Sequence, residues 1–297
     1  MITHEEFIKK HNLKESDYYQ ENGWLYILNL KKNYYKNESI IEKLPSKIEF
    51  TKNCNCNITI KKIEKIPPDV IFNNKGYVEI SYVEEISENV VFNNNGNVHL
   101  GDIYNNYHLE KLKKIHPSIK FTNSGKVFLG NIIDKIPSGI IFNNKGDVDL
   151  YNIEEISENV IFSNVGDVNL YKVKKISENV IFNNDGSLFL NELEEIHPSV
   201  EFINKKYISF DSDVSKIPKG IFFNNKGNVY IPTEHIPENV IFNNDGDVKF
   251  KNQKVIFSKG VRFNNKGEIR GLSFLENIPE FLDSKKYLNK MIEQIYK

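Results

Sequence analysis

Alanine is absent from this chain of 297 residues, and arginine occurs only at Arg262 and Arg270. Without the best helix former, and with many asparagine, isoleucine, tyrosine and phenylalanine residues, the composition favours strands over helices. The scarcity of arginine removes most of the planar side chains that bind phosphates and guanine edges. A formal net charge of −1 provides no strong positive field, so nucleic acid is disfavoured as a direct general ligand.

Long apolar runs are missing as well. No stretch is long enough to span a bilayer, and the first residues carry charged side chains throughout instead of an apolar secretory segment. We therefore expect no membrane insertion and a cytoplasmic location. The bias towards Asn, Lys, Ile, Tyr and Phe is typical of an AT-rich genome, such as that of a bacterium or a phage.

A repeat dominates what is present. A unit of about 20 residues, centred on V-x-F-N-N-x-G-x-V-x-L, recurs about eleven times. We expect its glycine to occupy a tight turn at positive φ, and its Asn pairs to stack in ladders between units. The phenylalanine of the unit recurs at Phe50, Phe72, Phe92, Phe121, Phe142, Phe162, Phe182, Phe202, Phe223, Phe242 and Phe263.

The arrangement within one unit predicts how the units associate. Each unit holds two short segments of period 2, V-x-F and V-x-L, followed by an apolar pair and a corner such as Ser-Glu-Asn or Pro-Ser-Gly. One unit cannot bury these apolar residues alone, whereas stacked units pair equivalent strands about 4.8 Å apart around a continuous interior. The predicted fold class is therefore mainly β: a parallel β-solenoid of about eleven coils with α-helical N- and C-terminal caps.

Both ends depart from the repeat, as the exposed edges of a solenoid require. We assign residues 1–40 to an N-terminal cap, 41–278 to the tandem-repeat solenoid and 279–297 to a C-terminal helical cap. A functional module in residues 1–40 is the alternative. Residues 102–110 are extra within one unit and predict a loop that leaves one coil.

The N-terminal region carries two local signals. Thr3 with Glu6 is a capping box, which predicts a short helix. Alternation typical of a strand follows at Trp24, Tyr26, Leu28 and Leu30.

The stretch V-x-L-x-x-V-x-x-I-[PS], as in residues 148–157, resembles a shortened leucine-rich repeat. It is also similar to tandem repeats of bacterial and phage proteins from AT-rich genomes. The resemblance covers residues 41–278 and implies a scaffold that binds other molecules. The chain lacks the asparagine that follows the L-x-L strand in leucine-rich repeats and carries the extra V-x-F segment. A straighter, two-sided β-solenoid is therefore the alternative to a horseshoe.

Chemistry-bearing residues are scattered through the chain. Cys54 and Cys56 are the only cysteines, and a metal site would need two further soft ligands, so we interpret them as small residues of an irregular first coil. His116 and His197 precede proline at equivalent corners, which indicates a structural variant of the repeat. Aspartates also attract attention, but turn preference and solvation explain them best: Asp147, Asp167 and Asp247 after the glycine, and the pair Asp211 and Asp213. We assign no catalytic, cofactor-binding or metal-binding residue.

The strand centres suggest where a partner binds. In the V-x-L segments the centres should face away from the core, and aromatic residues there are either partner contacts or isolated surface aromatics. These aromatic candidates are Phe128, Phe189 and Tyr230. The V-x-F centres are apolar in most units, which predicts either an exposed apolar stripe or a segment buried on both sides. The stripe candidates are Ile141, Ile161, Ile181, Phe222 and Ile241.

These features predict a non-enzymatic binding protein that presents a solenoid to a macromolecular partner, most plausibly a protein. A second copy of the chain and the protein's own N-terminal segment are the other candidates to cover the apolar stripe. The bacterial or phage resemblance suggests an inhibitor or effector of a host complex, for instance a defence nuclease. The alternative function is a carbohydrate-binding or carbohydrate-acting solenoid, in which exposed aromatics and carboxylates would form the site.

Overall fold

The computed structural model describes residues 1–30, 38–61, 63–81, 83–101, 112–130, 134–210 and 217–276. They form a mainly β, parallel solenoid of about eleven coils with a short helix near the N-terminus, which confirms the predicted fold class. The predicted insertion at 102–110, the C-terminal helical cap at 279–297 and the pair Asp211 and Asp213 lie outside the described residues.

The chain divides into two compact units. The first comprises Met1–Ile153 with Ser163–Gly166, and the second comprises Glu154–Phe162 with Asp167–Lys297. Within each unit, equivalent strands of successive coils pair in parallel and in register. Val91, for example, aligns with Ile71, and in the second unit Ile181 aligns with Ile161.

Three sets of strands recur along the chain. The V-x-F strands are Ile48–Phe50, Val70–Phe72, Val91–Phe92, Lys120–Phe121, Ile141–Phe142, Ile161–Phe162, Ile181–Phe182, Glu201–Phe202, Phe222–Phe223, Ile241–Phe242 and Arg262–Phe263. The V-x-L strands are Glu38–Ile41, Asn57–Lys61, Val78–Ser81, Val98–Leu100, Val127–Leu129, Val148–Asp149, Val168–Leu170, Leu188–Leu190, Ile208–Phe210, Val229–Tyr230, Val248–Phe257 and Ile269–Glu276. The corner strands are Lys65–Ile66, Glu85–Ile86, Lys114–Ile115, Lys135–Ile136, Glu155–Ile156, Lys175–Ile176, Glu195–Ile196 and His235–Ile236.

Phenylalanine fills the interior of every coil. The repeat phenylalanines from Phe50 to Phe242 are fully buried, and their rings stack in a column within each unit. Ring centroids of successive coils lie 5.0 to 5.5 Å apart in the first unit and 4.8 to 5.4 Å apart in the second. This spacing is close to the separation of paired strands, so the column follows directly from the parallel register.

The second asparagine of each pair is buried and holds neighbouring coils together. In the second unit, the Oδ1 of Asn204 accepts a hydrogen bond from the backbone N–H of Asn184 at 3.2 Å, and Asn225 does the same for Asn204. Asn144 also donates from Nδ2 to the carbonyl of Gly146 at 2.7 Å, which closes its own turn. The predicted asparagine ladder is therefore confirmed, and each of these asparagines uses part of its hydrogen-bonding capacity within the chain, while Asn144 Oδ1 and Asn204 Nδ2 are buried without a partner among the described residues.

The predicted reason for the repeat glycine was wrong. None of the glycines of the N-N-x-G turns has positive φ among the described residues. Glycine is required there because successive coils approach too closely for a side chain. A Cβ on Gly96 would lie 2.5 Å from the backbone nitrogen of Tyr77 and 2.6 Å from the carbonyl carbon of Gly76.

Positive φ occurs instead at most of the corners that precede a V-x-F strand. Asn159 of a Ser-Glu-Asn corner has φ 61°, and Gly139 of the Pro-Ser-Gly corner has φ 78°. Asparagine and glycine are the residues that tolerate this left-handed conformation. Sequence reasoning therefore recognised both turns but gave the positive φ to the wrong one.

The N-terminal region contains the predicted short helix and the predicted strand. The helix His4–Lys10 has the Thr3–Glu6 capping box, and a hairpin of two antiparallel strands follows, Tyr18–Glu21 and Trp24–Ile27. The second of these extends the V-x-F strands, with Tyr26 aligned with Glu49. The expected alternation is present, but Leu25 and Ile27 are the fully buried residues, so Trp24 and Tyr26 face outward.

The last described coils depart from the repeat. Val248–Phe257 and Ile269–Glu276 are much longer than the V-x-L strands before them and pair with each other. His235–Ile236, a corner strand by sequence, pairs with the far end of Val248–Phe257. The short repeat thus gives way to a longer paired ribbon.

Candidate functional site

The centres of the V-x-F strands face outward. In Ile161–Phe162 the preceding Val160 and the following Phe162 are fully buried, while Ile161 is half-buried. The same alternation holds in the other V-x-F strands, so these segments are not buried on both sides. We call this set the outer V-x-F row; it comprises Glu49, Ile71, Val91, Lys120 and Ile141 in the first unit and Ile161, Ile181, Glu201, Phe222, Ile241 and Arg262 in the second.

The outer V-x-F row is apolar but lies at the surface. Ile141 is 45% exposed and Phe222 is 42% exposed, and the remaining isoleucines and Val91 are half-buried. In the second unit, Phe222 aligns with Ile241, and Ile181 aligns with both Ile161 and Glu201. Parallel strands place neighbouring side chains about 4.8 Å apart, so Ile161 with Ile181 and Phe222 with Ile241 form two apolar patches on either side of Glu201.

A polar row runs beside the apolar one. The residue after each repeat phenylalanine also points outward, and it is usually asparagine. In the first unit, Asn93 Nδ2 donates to Asn73 Oδ1 at 3.1 Å, and Asn73 Nδ2 donates to Glu49 Oε1 at 3.1 Å. In the second unit, Asn243 Nδ2 donates to Asn224 Oδ1 at 2.8 Å. An apolar centre with a hydrogen-bonded polar border is typical of protein-binding surfaces.

A hollow of about 440 Å³ adjoins Phe222 in the second unit. Its walls include Pro198, Val200 and Ile203 as well as the Phe222 side chain. Ile203 stands where most coils have the first asparagine, so the polar border is interrupted beside the most exposed aromatic of the row. This volume is large enough for an apolar side chain of a partner.

The aromatic candidates of the V-x-L strands are less exposed than expected. Phe128, Phe189 and Tyr230 point away from the core but are each half-buried. The Phe189 ring packs against Tyr207 with centroids 6.3 Å apart. A lateral neighbour therefore covers part of the Phe189 ring, and Ser209 lies between Phe189 and Tyr230 in the strand register.

A polar cluster surrounds Phe128 in the first unit. Phe128 aligns with His99 on one side and with Asp149 on the other. Lys126 Nζ lies 2.9 Å from Asp149 Oδ2, while the buried Asp149 Oδ1 has no hydrogen-bond partner among the described residues. Burial lowers the pKa of His99 more than Glu79 raises it. His99 is therefore expected to be neutral near physiological pH.

The two corner histidines perform a structural task. His116 Nδ1 and Ser118 Oγ lie 2.9 Å apart, and the backbone N–H of Ser118 donates to the same ring nitrogen at 3.2 Å. His197 and Ser199 repeat this arrangement at 2.8 and 3.2 Å. The ring closes a His-Pro-Ser corner that does not use positive φ, as the predicted structural variant requires.

The aspartates after the repeat glycine also bind backbone. Asp167 Oδ1 accepts from the N–H of Ser187 at 2.7 Å, and Asp247 Oδ1 accepts from the N–H of Glu268 at 2.7 Å. These carboxylates join one coil to the next, which is a more specific task than the turn preference predicted for them. In the described part of the chain, no group of three or more His, Cys, Asp or Glu side chains is placed to hold a metal ion.

Cys54 and Cys56 form a disulfide in the first coil, which sequence reasoning did not predict. Both residues are buried. A spacing of one residue carries no reliable disulfide signal, and the expected cytoplasmic location argued against one.

Sequence reasoning also missed an aromatic cluster on the N-terminal hairpin. The rings of Tyr19 and Tyr26 are stacked with centroids 4.5 Å apart, and Trp24 lies 6.4 Å from Tyr26. Tyr19 is 43% exposed. The signal was present in the alternation of Trp24 and Tyr26, but alternation alone does not say which face of the strand points outward.

Two further findings bear on function. No helix among the described residues is long and apolar enough to cross a membrane. Comparisons with models of protein families, with curated proteins and with solved structures give no match.

Proposed function

We propose that this chain is a non-enzymatic binding protein and that the outer V-x-F row holds a protein partner. The observation that carries this proposal is the apolar surface that each unit presents at strand positions where alternation calls for polar residues, interrupted at Lys120 and Glu201. Such a surface is costly in an isolated soluble protein, since exposed apolar patches promote association.

The second unit offers the better-defined half of this surface. Phe222, the hollow beside it and the half-buried Ile181 and Ile241 combine an aromatic anchor with a pocket and an apolar surround. Aromatic anchors in well-packed pockets supply most of the binding free energy in many protein interfaces. Glu201 and Arg262 interrupt or end the apolar stretch and would fix the register of a partner through charge.

The residues that first suggested chemistry support binding over catalysis. His116 and His197 close corners, and Asp167 and Asp247 join coils by hydrogen bonds. Their conspicuous recurrence in the sequence therefore has a structural explanation.

The proposed class of partner rests only on the repeat motif and the amino-acid composition. The leucine-rich-repeat-like stretch and the AT-rich composition favour a bacterial or phage protein that inhibits or redirects a host complex, for instance a defence nuclease, in the cytoplasm. A second copy of the chain is the other candidate occupant. The buried Cys54–Cys56 disulfide is more typical of oxidising compartments than of the cytoplasm.

The experiment places charge on the apolar row. Ile161→Lys combined with Ile181→Lys should abolish binding to the stoichiometric partner that co-purifies from the native host, because two lysines would be desolvated in the interface. The thermal midpoint should change little, because both side chains already contact solvent. Asn169→Lys, on the outer face of a V-x-L strand in the same coil as Ile161, is the matched control and should bind as the wild type does.

Three outcomes would count against the proposal. Global unfolding of the double variant would assign both isoleucines to the core. Unchanged partner binding would move the interface elsewhere. Loss of a dimer in sedimentation, without a different protein partner, would replace the proposed partner with a second copy.

Carbohydrate recognition is the second candidate function, and the cluster around Phe128 favours it. An aromatic ring beside a carboxylate is suited to a sugar, which stacks on the ring and donates hydroxyl hydrogens to the carboxylate. Calorimetric titration with glycans would test it. Asp149→Asn and Phe128→Ala should each weaken such binding, whereas an absence of glycan binding would eliminate this candidate.

A further inference from the structure

The N-terminal end of the outer V-x-F row differs in chemistry from the rest. Tyr26 occupies the row position next to Glu49, and Tyr19 lies opposite Tyr26 in the hairpin. Glu21 lies opposite Trp24. The apolar row of the first unit thus continues into three aromatic rings flanked by two carboxylates, and we call this group the aromatic end.

The geometry of the rings limits what can bind there. Tyr19 and Tyr26 are nearly coplanar in orientation, 6° apart, with centroids separated by 4.5 Å, so they cover one face of each other. The outer face of Tyr19 is available, since this residue is 43% exposed. A single ring face suits a planar cation such as guanidinium.

The carboxylates set the sign of the ligand charge. Glu49 is held in place by the hydrogen bond from Asn73 Nδ2 to its Oε1 at 3.1 Å, and Glu21 is exposed. Partial desolvation raises the pKa of Tyr19, and Tyr26, Glu49 and Glu21 raise it further. Glu49 and Glu21 are therefore the charged groups that act on this hydroxyl, and both have the sign that attracts a cation.

We infer that the aromatic end binds an arginine side chain of the protein that occupies the outer V-x-F row. Guanidinium stacks on the Tyr19 ring and forms charge-assisted hydrogen bonds with Glu21 or Glu49. This inference rests on the proposed function, and it specifies the partner segment: apolar residues along Ile71 and Val91, with an arginine at the end that meets Tyr19.

Trp24 is the only tryptophan of the chain, so its fluorescence reports on this end alone. The probe is a short glycine peptide that contains two arginines, titrated into the full chain. We expect a saturable change in Trp24 emission that weakens at high salt. Matched peptides with citrulline, the neutral isostere of arginine, should give no change, and lysine peptides should bind more weakly because ammonium does not stack as a plane.

Variants connect the signal to the named residues. Glu49→Gln and Tyr19→Leu should each weaken arginine-peptide binding about tenfold. Tyr19→Phe should bind nearly as the wild type does because it keeps the ring, and far-ultraviolet circular dichroism controls for folding. Equal responses to arginine and citrulline, no response to either, or a response to neutral glycans that survives Glu49→Gln would overturn the inference.

The test separates this inference from the proposed function. Ile161→Lys with Ile181→Lys lies in the second unit and should leave the peptide response unchanged while it abolishes partner binding. If the peptide fails to bind but the partner still does, only the arginine assignment is wrong. If the peptide binds and the double variant still binds the partner, the apolar row of the second unit is not the interface.

Discussion

Two turns of the repeat, the N-N-x-G turn and the corner before the V-x-F strand, use asparagine and glycine for different physical reasons. In the N-N-x-G turn, Gly146 is needed because a Cβ would overlap the carbonyl group of Gly125 and lie 2.7 Å from the nitrogen of Lys126. At the corner, Gly139 has φ 78°, and a Cβ there would have no neighbour within 4 Å. One turn is limited by packing between coils and the other by backbone conformation. Residue type alone therefore does not identify the constraint.

The largest expected change in the free energy of unfolding comes from replacing the two glycines of this coil, one at a time, by alanine. Gly146→Ala should destabilise the protein by about 3 kcal/mol, because the added methyl group forces two backbones apart. Gly139→Ala should cost about 1 kcal/mol, the penalty of a left-handed conformation at an exposed corner. Urea unfolding followed by circular dichroism would measure both. Equal costs would mean that the close approach between coils relaxes easily, and the comparison would fail.

The asparagine pair offers the next test. Asn144 is buried, and its backbone N–H and its Nδ2 both form hydrogen bonds, whereas Asn143 beside it is exposed. Asn144→Ala should cost about 2 kcal/mol because the Gly146 carbonyl loses its donor in a buried site. Asn143→Ala should stay within about 0.5 kcal/mol of the wild type. Similar losses for both variants in the same unfolding measurement would contradict the assignment of the ladder to the second asparagine.

The first coil contains a covalent version of the same turn. The N–H of Lys75 donates to the carbonyl of Cys54 at 3.1 Å, as the N–H of Asn95 does to Asn74 at 3.0 Å. Asn74 Nδ2 donates to the carbonyl of Cys56 at 2.9 Å, as Asn94 does to Gly76 at 3.1 Å. Cys54 and Cys56 therefore stand where inner coils have the buried asparagine and the glycine, and the disulfide replaces the amide-to-carbonyl hydrogen bond.

Breaking this disulfide should have a smaller effect than disturbing an inner turn. Cys54→Ser with Cys56→Ser should lower the free energy of unfolding by about 1 to 2 kcal/mol, because a very short loop gains little from closure. A thiol reductant should shift the wild-type unfolding midpoint by a similar amount and leave the double variant unchanged. If the reductant shifts both proteins equally, the disulfide does not stabilise the coil.

The repeat made the fold predictable, because a fixed spacing of Phe and Val positions fixes both the parallel register and the inward column. The buried asparagines followed from the same spacing. The positive φ was misplaced because Asn and Gly occur at both turns and only the distance between coils distinguishes them. The outward orientation of Trp24 and Tyr26 was not predictable because alternation gives two faces and does not say which is inside. The outer V-x-F row was among the candidates, but its exposure depended on how neighbouring coils pack.

The smallest expected effect comes from replacing the asparagine, instead of the glycine, at a corner with positive φ. Asn159 has φ 61°, is exposed, and accepts one hydrogen bond from Asn179 Nδ2 at 3.3 Å. Asn159→Ala should lower the free energy of unfolding by about 1 kcal/mol because alanine tolerates the left-handed region poorly. Asn159→Gly should change it by no more than roughly a few tenths of a kcal/mol. Thermal unfolding of the two variants would distinguish the effect of backbone conformation from that of the lost side-chain hydrogen bond. Both variants lose this bond, but only alanine is destabilised by the left-handed conformation. Equal destabilisation by alanine and glycine would assign the corner to its hydrogen bond and would make the two turns of a coil more alike than their geometry indicates.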